Sequence, residues 1–183
     1  MLAYLFWHWR GPHVDAAPYE QAQRRFHAAL REAPPPGFLR SRTAALAGAP
    51  WAGGGGEAYE DWYLLEDSAA LDALNDAAVT ASRRAPHDAA AALAGGGTGG
   101  VYHLRLGAPV REPRFAWWFG KPAGTSYTAL DELLRPVVER GAALWCRHMV
   151  LGPAPEFCVQ AAAPVALPVG LGELEVALRP VWS

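Results

Sequence analysis

The feature that most constrains the fold is an aromatic strand at the start of the chain, LAYLFWHWR. Alternate side chains of a strand point to opposite faces, so this stretch divides into two sets. One set is wholly apolar: Ala3, Leu5, Trp7 and Trp9. The other is aromatic and ends in an imidazole and a guanidinium: Tyr4, Phe6, His8 and Arg10. A strand that only packs would not need these two groups, so the second face is predicted to line a cavity.

Helical and strand patterns alternate along the rest of the chain. Up to about residue 106 the predicted order is βαββαβ, with Pro86 interrupting the second helix. The remainder predicts βαβββ, in which a loop replaces the second helix and one last strand runs from Glu173 to Val181. Two glycine runs are predicted as connections: Gly53 to Gly56 as a hairpin loop, and Gly95 to Gly100 as the end of the second helical stretch.

This element order predicts an α+β fold. A βαββαβ unit is the ferredoxin-like arrangement, whose sheet carries helices on one face only and needs cover on the other. We therefore expect a ferredoxin-like N-terminal half, residues 1–108, and a truncated βαβββ second half, residues 109–183, with their sheets packed face to face in one compact domain. A cavity is expected between the two sheets, and a homodimer is expected to supply further cover.

Composition excludes several classes of protein. Hydrophobic residues make up 51% of the chain and charged residues 19%, which indicates a folded protein. The net charge of -2, with no interleaved basic and aromatic pattern, predicts no nucleic-acid partner. No apolar run reaches about 18 residues, so no membrane span is expected. Only two cysteines, and a start without signal-peptide features, favour the cytoplasm.

The stretch YEDWYLLEDSAALDALNDAAV, followed by RRAPHDAAAALAGGGTGGVYHLRL, resembles the dimeric α+β barrel superfamily. That group includes antibiotic-biosynthesis-monooxygenase-like, EthD-like and haem-handling branches. The shared features are a strand of aromatic and acidic residues, a helix, a histidine-bearing helix end and a glycine-rich run into a strand. The resemblance covers residues 2–106 and extends to the remainder by element order. It implies a dimeric or pseudo-dimeric α+β barrel whose functions vary widely between branches.

Two predicted strands each carry a histidine followed two residues later by an arginine. These pairs are His8 with Arg10 and His103 with Arg105, and both are expected on the open face of the sheet. Either histidine could act as a general base or as an axial ligand to haem, while the arginines hold a carboxylate or enolate. The alternative is that these residues satisfy one another and carboxylates such as Asp61, or line a polar dimer contact.

Aromatic side chains on a cavity face would suit a flat hydrophobic ligand. The candidate substrate-binding residues are Tyr4, Phe6, Trp62, Trp117 and His87. Packing in a core is the alternative for the tryptophans, and it is favoured for Trp7 and Trp118. Cys146 and His148 share a predicted strand face, but no further ligand stands at a diagnostic spacing, so no metal site is predicted.

Together these observations predict a small cytoplasmic enzyme of the cofactor-free monooxygenase, isomerase or cyclase type. Its substrate would be an apolar aromatic molecule bound in the inter-sheet cavity. The alternative is a non-catalytic protein that binds a small molecule or a partner. Haem binding is a variant of the enzyme hypothesis.

Overall fold

The computed structural model describes residues 1–46, 48–53 and 57–183. Within these ranges the chain is an α+β protein with one antiparallel sheet. Its strands are β1 (Leu2–Arg10), β2 (Phe38–Leu46), β3 (Ala58–Leu65), β4 (Ala94–Leu106), β5 (Phe115–Phe119), β6 (Ala143–Arg147), β7 (Phe157–Ala161), β8 (Leu174–Ala177) and β9 (Arg179–Trp182). Its helices are α1 (Ala16–Glu32), α2 (Ala69–Ala78), α3 (Ala81–Ala91) and α4 (Tyr127–Glu139). None of the described helices is long and apolar enough to cross a membrane.

The sheet curls until its two edges meet. Its strand order is β8-β5-β7-β6-β4-β1-β3-β2-β9, so the two edge strands are β8 and β9. In a flat sheet these edges would lie roughly 38 Å apart, at about 4.8 Å between neighbouring strands. Leu178 alone separates them in the chain, which requires the curl. The single last strand predicted from Glu173 to Val181 is therefore corrected, because its two parts pair with different strands, β5 and β2.

The inner face of the curled sheet is a packed core. Four tryptophans fill it and are at most 1% exposed: Trp7, Trp62, Trp118 and Trp145. Their rings contact one another at tilted or edge-to-face angles, with centroids 5.2 to 6.4 Å apart. Such contacts add to the large apolar area that each indole buries. The space predicted as an inter-sheet cavity is therefore filled with side chains, and that prediction is wrong.

Helices cover the outer face of the sheet. Helix α1 packs its predicted apolar stripe inward, since Tyr19, Ala22, Phe26 and Leu30 are all buried. Helices α1 and α2 share a core cluster with the outer residues of β1, β3 and β4. Helix α4 packs in the same way on β5, β6 and β7. Each half of the chain thus places at least one helix on the outer face of the sheet.

Strand β4 begins seven residues earlier than predicted and includes the second glycine run. The rings of β1 lie across these glycines: a Cβ on Gly97 would stand 2.3 Å from Phe6, and one on Gly96 would stand 2.5 Å from Trp9. Because glycine has no side chain, β1 and β4 can pair beneath these bulky rings. The prediction of this run as a connection did not include that role. Pro86 lies inside α3, so the predicted interruption there is also wrong. Of the first glycine run, Gly54 to Gly56 lie outside the described residues.

Candidate functional site

A cavity of about 820 Å³ lies between the outer face of the sheet and the first three helices. Strands β1 and β3 form its floor, α1, α2 and α3 form its walls, and the glycine-rich start of β4 forms part of its rim. The floor residues are Tyr4, Phe6, His8, Asp61 and Tyr63. A cavity of this volume matches the usual size of a small-molecule site.

The face of β1 predicted to line a cavity does line one, but the cavity lies on the helix side of the sheet. The prediction placed helices against the wholly apolar face of β1, and this assignment is wrong. That face is buried because the sheet curls onto itself around Trp7. The face that carries His8 is covered by helices, and the cavity lies beneath them.

A buried carboxylate shared by two imidazoles closes the floor of the cavity. The Nε2 atoms of His8 and His27 lie 3.2 Å and 3.3 Å from the same oxygen, Oδ1 of Asp61. All three residues are at most 2% exposed. His8 lines the cavity, whereas His27 lies outside it. The single negative charge of Asp61 therefore lies beside one imidazole in the cavity and beside a second imidazole deeper in the protein.

Hydroxyl groups complete the hydrogen bonding around this carboxylate. Thr43 donates to Oδ1 of Asp61 at 2.7 Å, and Tyr63 donates to Oδ2 at 2.8 Å. Ser41 lies 2.7 Å from Nδ1 of His27, and Tyr19 lies 2.6 Å from Nδ1 of His8. Nδ1 of His8 thus shares a short hydrogen bond with a phenol that also lines the cavity.

Electrostatics keep the carboxylate ionised and the phenols neutral. Burial acts to raise the pKa of Asp61, but His8 and His27 outweigh it and hold that pKa well below its usual range. Burial raises the pKa of Tyr19 and of Tyr63 well above the usual value, with the charge of Asp61 adding to the effect. The floor therefore combines a fixed anion with neutral proton donors, an arrangement often found at functional sites.

The Nε2 atom of His8 lies close to Asp61 without a directed hydrogen bond to it. It lies 3.2 Å from Asp61, yet among the described residues it makes no hydrogen bond of acceptable geometry. Buried polar atoms seldom lack such a partner. Asp61 can therefore orient the ring of His8 while leaving it free to adjust when a ligand binds.

The remainder of the cavity lining is mostly apolar, with a few polar side chains. No Lys or Arg of the described chain lines it. Phe26 and Leu74 give apolar walls, while Asp72, Asn75 and His87 supply polar atoms. The ring of His87 meets that of Phe26 edge-on at 5.5 Å. This lining suits a neutral ligand with a ring system better than an anion.

The second histidine–arginine pair lies far from the first. Strands β1 and β4 are antiparallel, and His103 stands opposite Leu2, six residues from His8. At about 3.4 Å per residue the separation is roughly 20 Å. His103 faces His148 instead, and Arg105 makes a two-point ion pair with Asp131 of α4. The pairs share a face, as predicted, but they do not share a site.

Three further candidates also lie outside the cavity. Arg10 turns to Glu57, with 3.0 Å between Nη2 and Oε2. Trp62 lies on the inner face, where its Nε1 donates to Glu60 at 2.9 Å. Trp117 lies on the outer face of β5, where its Nε1 donates to Glu175. Tyr4, Phe6, His8 and His87 are the candidates that the fold brings together.

Neither cysteine is placed for chemistry. Both are buried, and burial raises the pKa of the Cys146 thiol to about 11 and that of Cys158 well above its usual value. A thiol is a poor nucleophile and a poor metal ligand, because the thiolate is the reactive form. Within the described residues, no group of three His, Cys, Asp or Glu side chains could hold a metal ion.

His27 and Tyr19 were not predicted as site residues. Asp61 was named only as a carboxylate that could satisfy the histidines and arginines. A signal was present on α1, where Tyr19, Gln23 and His27 recur every four residues and so share one helix face. A polar stripe of this kind, on the buried side of a helix, requires polar partners on the strand beneath it. On β3 the alternating outer residues Tyr59, Asp61 and Tyr63 provide them.

No protein-family model and no curated protein matches this chain. One solved structure, the crystal structure of a chlorite dismutase-like protein named TA0507, is similar to it with a TM-score of 0.47. The two are 10% identical, over 99% of this chain and 96% of that chain. No family follows from this similarity.

Proposed function

We propose that this protein binds a small, neutral, ring-bearing molecule in the cavity and moves a proton on it through His8. The observation that carries the proposal is the position of His8, which lines the cavity and contacts the buried, ionised carboxylate of Asp61. A buried anion is costly to maintain, so its placement beside a histidine in a cavity favours a chemical role.

The lining supports the choice of ligand. Tyr4, Phe6, Phe26 and Tyr63 offer ring faces and edges, against which a flat apolar ligand would pack. Proteins usually hold a carboxylate or phosphate with Arg or Lys, and neither lines the described cavity. His87 would supply a polar contact for a carbonyl or hydroxyl group.

The proposed step is proton abstraction beside a carbonyl group. The Tyr19 hydroxyl accepts the proton of the ligand while it passes its own proton to Nδ1 of His8, across the 2.6 Å hydrogen bond. The ligand becomes an enolate, and His8 becomes an imidazolium that Asp61 stabilises. Abstraction of this kind begins the reactions of many isomerases and of cofactor-free oxygenases. We assign no role in it to Arg10, His103 or Arg105.

A second candidate function is binding without chemistry. The observation that favours it is the same hydrogen bond, since Nδ1 of His8 already has Tyr19 as its partner. In that case the carboxylate, imidazoles and hydroxyls would only order the floor of the cavity.

We propose no cofactor for either function. Haem carries two propionates that need cations or other donors, and the described lining offers no Lys or Arg. Both nitrogens of His8 also face protein atoms already. The residues of the cavity therefore do not fit haem, and a haem titration should give no bound Soret spectrum.

We further propose that each half of the chain is a ferredoxin-like unit, and hence that the whole is a pseudo-dimeric α+β barrel. The order β4-β1-β3-β2 in the first half is matched by β8-β5-β7-β6 in the second. Numbered within each half, both orders are the same. This match supports the tandem arrangement that the resemblance implies.

A neutral fluorescent ketone, propionyl-dimethylaminonaphthalene, tests the proposed function. The protein should bind it more tightly than the anionic anilinonaphthalene sulfonate. In D2O the hydroxyl of Tyr19 and the ring of His8 carry deuterium, so a C–H bond broken beside the carbonyl is re-formed as C–D. Mass spectrometry of the ketone then reports proton transfer.

We expect wild-type protein to exchange these protons on the order of a hundredfold faster than His8→Gln, the low end of general-base catalysis. His13→Gln is the matched control, because His13 is exposed in the turn after β1. If wild type and His8→Gln bind the ketone and exchange its protons equally fast, the second candidate function, binding without chemistry, would be supported instead. Failure of the ketone to bind would contradict both candidates.

Gly97→Ala should obstruct the cavity. The new methyl group would stand 2.3 Å from the Phe6 ring, which lines the cavity and must move into it. We expect affinity for the ketone to fall about tenfold, or roughly 1.4 kcal/mol, with little loss of stability. Gly120→Ala is the control, because no atom lies within 4 Å of its added Cβ. Unchanged affinity in Gly97→Ala would place the ketone outside this cavity.

A further inference from the structure

We propose that His27 is a positioning residue for the proposed proton transfer: through Thr43 it holds the carboxylate of Asp61 against His8. Its effect on rate rests on the proposed function, in which His27 takes no step. The imidazole is fully buried and lies outside the cavity. A buried imidazole needs hydrogen-bond partners, and the partners of His27 show which of its nitrogens carries a proton.

The register of the sheet does not by itself bring Asp61 to His8. On β1, Phe6 stands opposite Asp61, and His8 stands opposite Tyr59. The contact between His8 and Asp61 is therefore diagonal across the strand pair, where residues are farther apart than directly opposite ones. The carboxylate of an aspartate also rotates easily about its last torsion angle. Other groups must therefore hold Oδ1 of Asp61 at 3.2 Å from His8.

Thr43 holds this oxygen from the neighbouring strand. It stands directly opposite Asp61 in the pairing of β2 with β3, and its hydroxyl lies 2.7 Å from Oδ1. Asp61 is ionised, and an ionised carboxylate only accepts hydrogen bonds, so Thr43 must donate its single hydroxyl hydrogen. Tyr63 donates to the other oxygen at 2.8 Å. Both carboxylate oxygens therefore have a donor, which fixes the plane of the group.

The direction of the Thr43 hydroxyl depends in turn on His27. Nε2 of His27 lies 2.6 Å from Oγ1 of Thr43. Since the only hydrogen of that hydroxyl points to Asp61, His27 must donate to it through Nε2–H. The hydroxyl then accepts on one side and donates on the other. Nε2 also lies 3.3 Å from Oδ1 of Asp61, so the same N–H faces the carboxylate.

Ser41 keeps this arrangement independent of the charge on His27. Its hydroxyl oxygen lies 2.7 Å from Nδ1 of His27. A hydroxyl group can donate to a bare nitrogen or accept from a protonated one, so Nε2 keeps its proton in both cases. Strand β3 lies between β1 and β2 in the sheet. Ser41, His27 and Thr43 therefore fix Asp61 from the side opposite to His8.

The expected effect of His27 is on rate and not on binding. In the proposed step His8 becomes an imidazolium, which the charge of Asp61 stabilises. His27, Thr43 and Ser41 do not line the cavity, so their replacement leaves its lining residues in place. Misplacement of a group by about 1 Å can lower a rate roughly a hundredfold. A loosely held Asp61 should therefore slow proton transfer while affinity for the ketone stays the same.

Two variants of His27 separate its N–H donor from its ring. His27→Phe keeps a ring to stack on Tyr63, at 5.4 Å between centroids in wild type, but has no N–H. His27→Gln offers an amide N–H to Thr43 and an amide oxygen to Ser41. We expect His27→Phe to exchange the protons of bound ketone at least about tenfold more slowly than wild type, with affinity within about twofold. His27→Gln should recover most of the rate.

Two variants of Thr43 test the same link without removing a ring from the core. Thr43→Val keeps the shape of the side chain but has no hydroxyl group, so exchange should slow as it does in His27→Phe. Thr43→Ser keeps the hydroxyl and should recover most of the rate. His13→Phe is the control, because His13 is exposed and its replacement should leave the rate within about twofold of wild type.

Nitrogen NMR of the imidazoles gives a readout that does not depend on the ketone. In wild type, Nε2 of His27 should carry a proton. The ring signals of His8 should change in Thr43→Val and return toward those of wild type in Thr43→Ser, because only a hydroxyl holds Asp61.

A proton on Nδ1 alone of His27 would overturn the proposal. So would wild-type exchange in both His27→Phe and Thr43→Val, or equally slow exchange in His27→Phe and His27→Gln. A wild-type protein that binds the ketone without exchanging its protons contradicts only the proposed reaction. The NMR signals of His27 and His8 then decide whether His27 holds Asp61.

Discussion

Replacing Asp61 with Ala is expected to lower the free energy of unfolding by about 3–5 kcal/mol, because it leaves several buried polar groups without their common partner. His8, His27, Thr43 and Tyr63 all contact this carboxylate. Chemical denaturation of the variant and of wild type measures the difference. Asp76→Asn, an exposed change on α2, should stay within about 0.5 kcal/mol of wild type.

The same carboxylate predicts how stability depends on pH. Its pKa in the folded state is held below the usual value, so its stabilising contribution is fully present above about pH 4, the pKa of an unfolded aspartate. That contribution declines as the pH falls toward the lower folded pKa. Asp61→Asn removes this contribution, so its stability should fall less steeply than that of wild type as the solution is acidified below pH 4. Parallel slopes would contradict the assignment of the anion to Asp61.

The second large effect is expected inside the curled sheet, where Arg42 and Glu60 lie 3.5 Å apart. Glu60 also accepts from Trp62, and the Arg42 guanidinium stacks over the Trp62 ring at 4.8 Å. Arg42→Met leaves Glu60 without a cation in an apolar core. We expect a loss of about 3–5 kcal/mol at neutral pH, measured by denaturation.

This loss should shrink in mild acid. Burial raises the pKa of Glu60, and Arg42 opposes that rise. Without Arg42 the pKa rises further, so the buried carboxyl group takes up a proton as pH falls and its charge no longer destabilises the fold. Stability of Arg42→Met should therefore increase from pH 8 toward pH 5, relative to wild type. A loss that is independent of pH would contradict this account.

Two comparisons isolate the effect of burial. The double variant Arg42→Met with Glu60→Leu should recover much of the stability, because replacing a buried ion pair by apolar side chains is often nearly neutral. Arg84→Met breaks a pair of similar length, 3.7 Å to Asp88, between side chains 73% and 59% exposed. It should change stability by less than about 1 kcal/mol.

Local pattern predicted most elements and part of the site. The alternation in β1 correctly separated Trp7 from His8, because neighbouring side chains of a strand must point to opposite faces. Tyr4, Phe6 and His8 do line a cavity as a result. Helical spacing likewise identified the buried stripe of α1. These features depend on residues that are close together along the chain, and their spacing can be read from the sequence.

Partners distant in the chain were not predictable in this way. His103 and Arg105 repeat the pattern of His8 and Arg10, but antiparallel register carries them to the other end of the strand pair. His27 and Asp61 meet because α1 lies across β3, and no local spacing relates them. The run Gly95 to Gly100 is a strand because rings of β1 cover it, although glycine by itself favours a turn.

The sequence by itself determined an α+β chain with an aromatic first strand, one apolar face and one face ending in an imidazole. Tertiary structure alone decided which face would border the cavity. The sheet curls because β8 and β9 are adjacent in the chain yet pair at opposite edges, and this closure buries the tryptophans inside. The cavity therefore lies outside the curl, where helices cover His8 and Asp61. Periodicity divides the two faces of a strand, but only the closure of the sheet shows which one is inside.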